Sequence, residues 1–157
     1  MMTKRFMGAV LVGAVISVAV PVTAGAATSG TEHFKLVFSS ETGPGSIFAR
    51  GVFDAGGTDY QGKAVDEAVF PEGTFKIHHA SVHSTFQFNP STCRGTLTGS
   101  GAYRLTNGYG DFVGIKASGT ASLKGTIATG RNANGTCNFH DVSAYALIVH
   151  ASGPVSF

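Results

Sequence analysis

Tryptophan is missing from the 157 residues, cysteine occurs only twice, and no more than 13% of the chain is charged. Each shortage excludes something. An immunoglobulin-type sandwich sets a tryptophan against its inter-sheet disulfide, and this chain has none to offer. Two cysteines are too few for a zinc cage. A net charge of +2 on a chain that is 43% hydrophobic gives no basic surface for nucleic acid and too much apolar material for a disordered chain. Glycine is plentiful, at 22 residues, but lacks the triplet period of collagen. No Gly-x-Ser-x-Gly elbow or comparable nucleophile motif is present. What remains has the length of one domain.

The first residues follow a pattern of their own. Lys4 and Arg5 precede an apolar run from Phe6 to Val22, interrupted by Ser17, and Pro21 leads toward Ala24-Gly25-Ala26. A basic start, an apolar core and an A-x-A site predict a secretory signal peptide over 1–26 and a single mature domain over 27–157. The competing expectation is a membrane anchor, since the run approaches the roughly 20 residues a spanning helix needs; the Ala-Gly-Ala site favours cleavage, and no later stretch is long enough to span. Removing Lys4 and Arg5 leaves nine basic residues against nine acidic ones, so the positive balance belongs to the leader. The mature chain is then secreted, extracellular or in the cell envelope, with no membrane span. In that oxidising setting Cys93 and Cys137 are expected to form one disulfide.

Beyond Thr28 the apolar period is two. Phe34, Leu36 and Phe38 alternate with His33, Lys35 and Val37, and the pattern returns in Phe75 and Ile77, in Val82, Phe86 and Phe88, in Tyr103 and Leu105, and in Ala121, Leu123 and Ile127. Between these runs stand Thr42-Gly43-Pro44-Gly45, Ala55-Gly56-Gly57-Thr58-Asp59, Pro71-Glu72-Gly73, Asn89-Pro90-Ser91, Thr106-Asn107-Gly108 and Asn132-Ala133-Asn134-Gly135, all read as turns. Tyr60 to Phe70 has the composition of a short helical turn. Val142 to His150, apolar almost throughout, is expected to lie deep in a sheet. Glycines at 95, 99, 101, 108, 110, 114, 119 and 125 fall partly inside strand patterns, where they let a sheet curl. The expected fold is therefore all-β, a closed antiparallel up-and-down barrel of about eight strands.

The segments Gly99-Ser100-Gly101-Ala102-Tyr103-Arg104-Leu105, Gly108-Tyr109-Gly110-Asp111-Phe112-Val113-Gly114 and Ala117-Ser118-Gly119-Thr120 resemble the glycine-aromatic hairpins of small secreted bacterial barrels grouped with the allene oxide cyclase and dirigent families. The likeness covers about a third of the mature chain. It implies an eight-stranded barrel whose interior is filled or holds one small apolar ligand, and an activity that is either cofactor-free cyclisation or coupling of hydrophobic molecules, or unassigned. No catalytic residue is carried over by motif, which counts against an enzyme. A shorter echo, Gly95-Thr96-Leu97-Thr98-Gly99 against Gly125-Thr126-Ile127-Ala128-Thr129-Gly130, reads as two similar hairpins.

The remaining chemistry-bearing residues are few. Three histidines fall in Phe75-Lys76-Ile77-His78-His79-Ala80-Ser81-Val82-His83, but strand parity sends His79 inward and His78 outward, so no metal site is expected. Asp66 and Glu67 are adjacent and point to opposite faces, which rules out a paired-carboxylate mechanism. Parity selects His79, Tyr103 and Glu67 as polar groups for the interior. Asp54, Asp59, Glu72 and Asp111 are assigned to turns, and His140 with Asp141 to an exposed loop. Asn134-Gly135-Thr136 matches a glycosylation sequon but is better explained as a tight turn. The expected function is a non-catalytic module that binds a small hydrophobic ligand or a cell-envelope component between Phe75, Ile77, His79, Phe86, Tyr103 and Leu123, without a cofactor; oligomerisation stays open. The alternative is a cofactor-free cyclase or isomerase.

Overall fold

A computed structural model describes residues 28–157; the expected leader over 1–26 lies outside them. The chain forms β1 (Ser29–Phe38), β2 (Gly45–Arg50), β3 (Ala55–Tyr60), β4 (Val65–Phe70), β5 (Gly73–Asn89), β6 (Arg94–Gly110), β7 (Lys116–Arg131) and β8 (Cys137–Ser156). Each strand pairs antiparallel with the next, and β8 returns to β1, so the barrel is closed and up-and-down. Among the described residues no helix is long and apolar enough to cross a membrane.

Segments expected as turn, helix or loop are strands: Thr106 to Gly108 lies inside β6, His140 and Asp141 lie inside β8, and two more form strands of their own. Ala55–Tyr60 is β3 and Val65–Phe70 is β4. The reason lies across the sheet: a Cβ at Gly57 would run into the Phe70 ring and the Val69 carbonyl, so the glycine makes room for an aromatic neighbour and does not mark a chain reversal. Asp59, assigned to a turn, is fully buried on the inner face of β3. The glycine echo is also explained differently. Its two halves pair with each other, Gly95 opposite Ile127 and Leu97 opposite Gly125, within the β6–β7 hairpin.

One end of the barrel is solid. Phe34, Phe53, Phe70, Phe75, Phe112 and Phe157 meet there with ring centroids 4.9–6.2 Å apart, mostly edge to face. Such pairs contribute about 0.5–1.5 kcal/mol each beyond the area they bury. Thr28 and Phe157 exchange two backbone hydrogen bonds, at 2.9 and 3.0 Å, at this floor.

The other end is lopsided, because β1–β4 hold 6–10 residues and β5–β8 hold 16–20. Pairing of β4 with β5 stops at His78, and pairing of β1 with β8 stops at Leu147. Beyond those points β5–β8 rise as a four-stranded hood. A register shift between Ala80 and His83 bends β5 as it leaves the barrel. Val142 to His150 therefore does not lie deep: Val142 and Ile148 are each 37% exposed, since this stretch of β8 has solvent outside and the open mouth inside. Cys93 and Cys137 are disulfide-bonded and tie the β5–β6 turn to the start of β8 at the hood's tip. Arg131 reinforces the tie by donating to the carbonyls of Ser91 and Gly135, each at 2.6 Å.

Candidate functional site

Between the phenylalanine floor and the hood lies a cavity of about 270 Å³. Its origin is a change in side-chain size along the inner faces. Phe34, Leu36 and Phe38 of β1 line one wall, whereas Gly101 on β6, Ala121 on β7 and Ala151, beside Phe34 on β8, leave room at positions that large residues would have filled. Ile77, Leu105, Leu123, Leu147 and Val149 complete an apolar lining. The polar lining is concentrated on one side, in Gln61, Asp66, His79 and Tyr103.

His79 and Asp66 are joined there, with Nε2 and Oδ2 2.6 Å apart. The other oxygen of Asp66 accepts the Gly62 N–H at 2.8 Å, and the His79 N–H donates to the Ala64 carbonyl at 3.1 Å, so the β3–β4 turn is clamped against β5. The hydrogen bond to Asp66 holds the His79 pKa above its ordinary value despite the opposing effect of burial, and the charges of Asp66 and Asp59 add to the rise. With Nε2 donating to the carboxylate, Nδ1 is left to interact with whatever enters the cavity. Asp59 lies near this pair with both carboxylate oxygens buried and unpartnered. Burial, then the charge of Asp66, push its pKa up to about 7, against a lowering by His79.

Tyr103 presses its ring against Gly119 and meets Phe34 edge to face at 6.2 Å. Its hydroxyl is buried without a partner, and burial, followed by the charge of Glu32, pushes its pKa up to about 12. Glu32, also fully buried, accepts the Phe53 N–H at 3.0 Å and the His33 N–H at 3.3 Å.

Four of the six residues selected from sequence, Ile77, His79, Tyr103 and Leu123, line this cavity together. Phe75 does not, being fully buried in the floor. Phe86 lies past the β5 bulge, 52% exposed, at a second depression shared with Glu41, Leu97, Gly125, Ile127 and Tyr145. Glu67 is not an interior group: it faces outward and pairs with Lys76 at 3.0 Å, while its neighbour Asp66 faces in. The alternation Asp66, Ala68, Phe70 carries that signal, once the segment is taken as a strand. His78 bonds Thr106 at 2.7 Å and His83 is exposed, so the three histidines do not converge. Among the described residues no group of three or more His, Cys, Asp and Glu is placed to hold a metal ion.

The arrangement is an apolar chamber with one oriented imidazole at its side. Comparison with protein-family models, with curated proteins and with solved structures finds no significant match.

Proposed function

We propose that this barrel is a non-catalytic binding protein, exported and disulfide-stapled, that holds one small apolar ligand or the hydrophobic part of a cell-envelope component. The observation that carries this reading is the hollow above a floor packed with rings. The hollow, about 270 Å³, opens at the mouth and is walled mainly by apolar side chains. Mostly apolar walls with a few convergent polar groups are what a ligand pocket requires. The disulfide fits an oxidising compartment. Lipid, terpenoid and aromatic probes should raise the melting temperature, and His79→Ala, measured against its own unliganded protein, should weaken the hydroxyl- or carbonyl-bearing ones more than the hydrocarbon ones. Failure of every probe to shift the wild type would end this reading.

One observation favours a second reading, a cofactor-free cyclase or isomerase. Asp66 fixes the His79 ring at 2.6 Å and raises its basicity, which is how a general base is oriented toward a bound substrate. The resemblance to allene oxide cyclase and dirigent barrels supports the same idea. His79→Gln would then abolish turnover but preserve probe binding. A rate and a product distribution both identical to those of the uncatalysed reaction would leave the binding role alone.

A further inference from the structure

The cavity does not end where the barrel wall ends. Val82 on β5, Gly101 on β6, Leu123 on β7 and Leu147 on β8 line it; farther out on the same strand faces, past the small residues Ser84, Gly99 and Gly125, Phe86, Leu97, Ile127 and Tyr145 line the depression on the hood. Side chains separated by an even number of residues share a strand face, so the two hollows are one strip. Gly125 sits between them, paired with Leu97 on one side and Leu147 on the other, and puts no side chain across the passage.

We propose that the ligand is a single extended apolar chain, of acyl or isoprenoid type, with one end in the cavity and the remainder laid along the hood. This inference rests on the binding reading above and adds the shape of the ligand. From Leu123 to Ile127 the strand rises roughly 13 Å, which an extended hydrocarbon with bonds of about 1.5 Å covers in about ten methylenes. A compact ligand filling the cavity would leave Phe86 on the hood as it stands, 52% exposed. A second copy of this chain fits poorly, because a two-fold contact would set one concave inner wall against another and leave a void between them. A flexible chain follows the curve.

The test is displacement of a polarity-sensitive dye by straight-chain alcohols from hexanol to hexadecanol, on the wild type and on Ile127→Glu. Affinity should rise about two- to fourfold per added methylene and continue to rise beyond the length at which the cavity is full. Ile127→Glu should flatten the rise for the long alcohols and leave hexanol unchanged. Phe86→Ser, a change at a half-exposed position, gives the same comparison if Ile127→Glu fails to fold. A plateau among the short alcohols in the wild type would overturn the proposal in favour of a compact ligand. An undiminished rise in both variants would show that the hood is not used. Displacement by none of the alcohols would remove the binding reading, and this inference with it. A concentration-dependent dimer that disappears in Ile127→Glu, together with a short-chain plateau, would assign the hood to a second copy.

Discussion

The carboxyl of Asp59 should make this barrel less stable as pH rises. An aspartate in the unfolded chain ionises near 3.8, whereas burial raises Asp59 to about 7 in the folded state. Between those values the folded protein keeps a proton that the unfolded chain has released, so stability falls with rising pH. Three pKa units at 1.36 kcal/mol each give a loss of roughly 4 kcal/mol between about pH 4 and pH 8. The groups facing Asp59 do not cancel the effect. Beside it across the sheet stand Gly45 on β2 and Ala68 on β4, and the charged groups that act on it are Asp66 on β4 and His79 on β5. Raised in its turn, His79 contributes stability that is present below its unfolded pKa and lost as pH rises through the folded one, which acts in the same direction. Asp59→Asn holds the site in a neutral form. Its amide leaves a buried donor unpaired, at about 1–3 kcal/mol, so the informative quantity is the slope against pH and not the absolute stability. Urea midpoints of both proteins, measured from about pH 4 to pH 8, should separate by an amount equivalent to about 4 kcal/mol more change in the wild type. Parallel profiles would refute the argument, since they would mean that Asp59 is ionised and solvated in the folded state.

Reducing the bond between Cys93 and Cys137, which closes a separation of 44 residues, should lower the unfolding free energy by about 4 kcal/mol in the chain-entropy treatment; hydrogen exchange should report earliest opening at the hood tip. Phe75→Ala should cost about 3–5 kcal/mol, because the ring is fully buried among its neighbours, whereas Phe86→Ala at a 52% exposed position should cost under about 1 kcal/mol; the reverse order in chemical denaturation would contradict the placement of the solid floor. Tyr103→Phe removes a buried hydroxyl that has no partner and should raise stability by about 1 kcal/mol. An alkaline absorbance titration should show one of the four tyrosines ionising at about 12 and that step vanishing in the variant, while a loss of stability would mean that the hydroxyl is bonded.

What could be read from the chain depended on whether the deciding partner was local. Phe34, Leu36 and Phe38 announce β1 because alternation is a property of consecutive residues, and the same parity correctly turned His79 and Tyr103 inward. The disulfide was legible from count and context. Ala55–Tyr60 was not, since Gly56 and Gly57 look like turn residues until Phe48 and Phe70 are found lying over them from the neighbouring strands. With β3 and β4 misjudged, Asp59 and Asp66 lost their inward assignment, and the polar half of the site went with them. Phe75 and Phe86 stand an odd eleven residues apart on β5, so they share a face only because a bulge intervenes, and they lie at different heights. Separating them required the bulge after Ala80 and the unequal strand lengths, which only pairing with β4 and β6 reveals.

The backbone clasp between Thr28 and Phe157 gives the molecule a polarity. Both ends of the described chain leave from the closed floor, and the mouth and hood lie at the opposite pole. A tag, a fusion partner or a surface attachment joined near Thr28 or Phe157 therefore sits behind the floor, and the mouth points away from the tether. An immobilised sample used for binding measurements presents its open face to solution whichever end is fixed. The same adjacency allows the ends to be joined by a short linker and the chain reopened at an exposed turn, such as Asn132 to Thr136, without breaking the sheet.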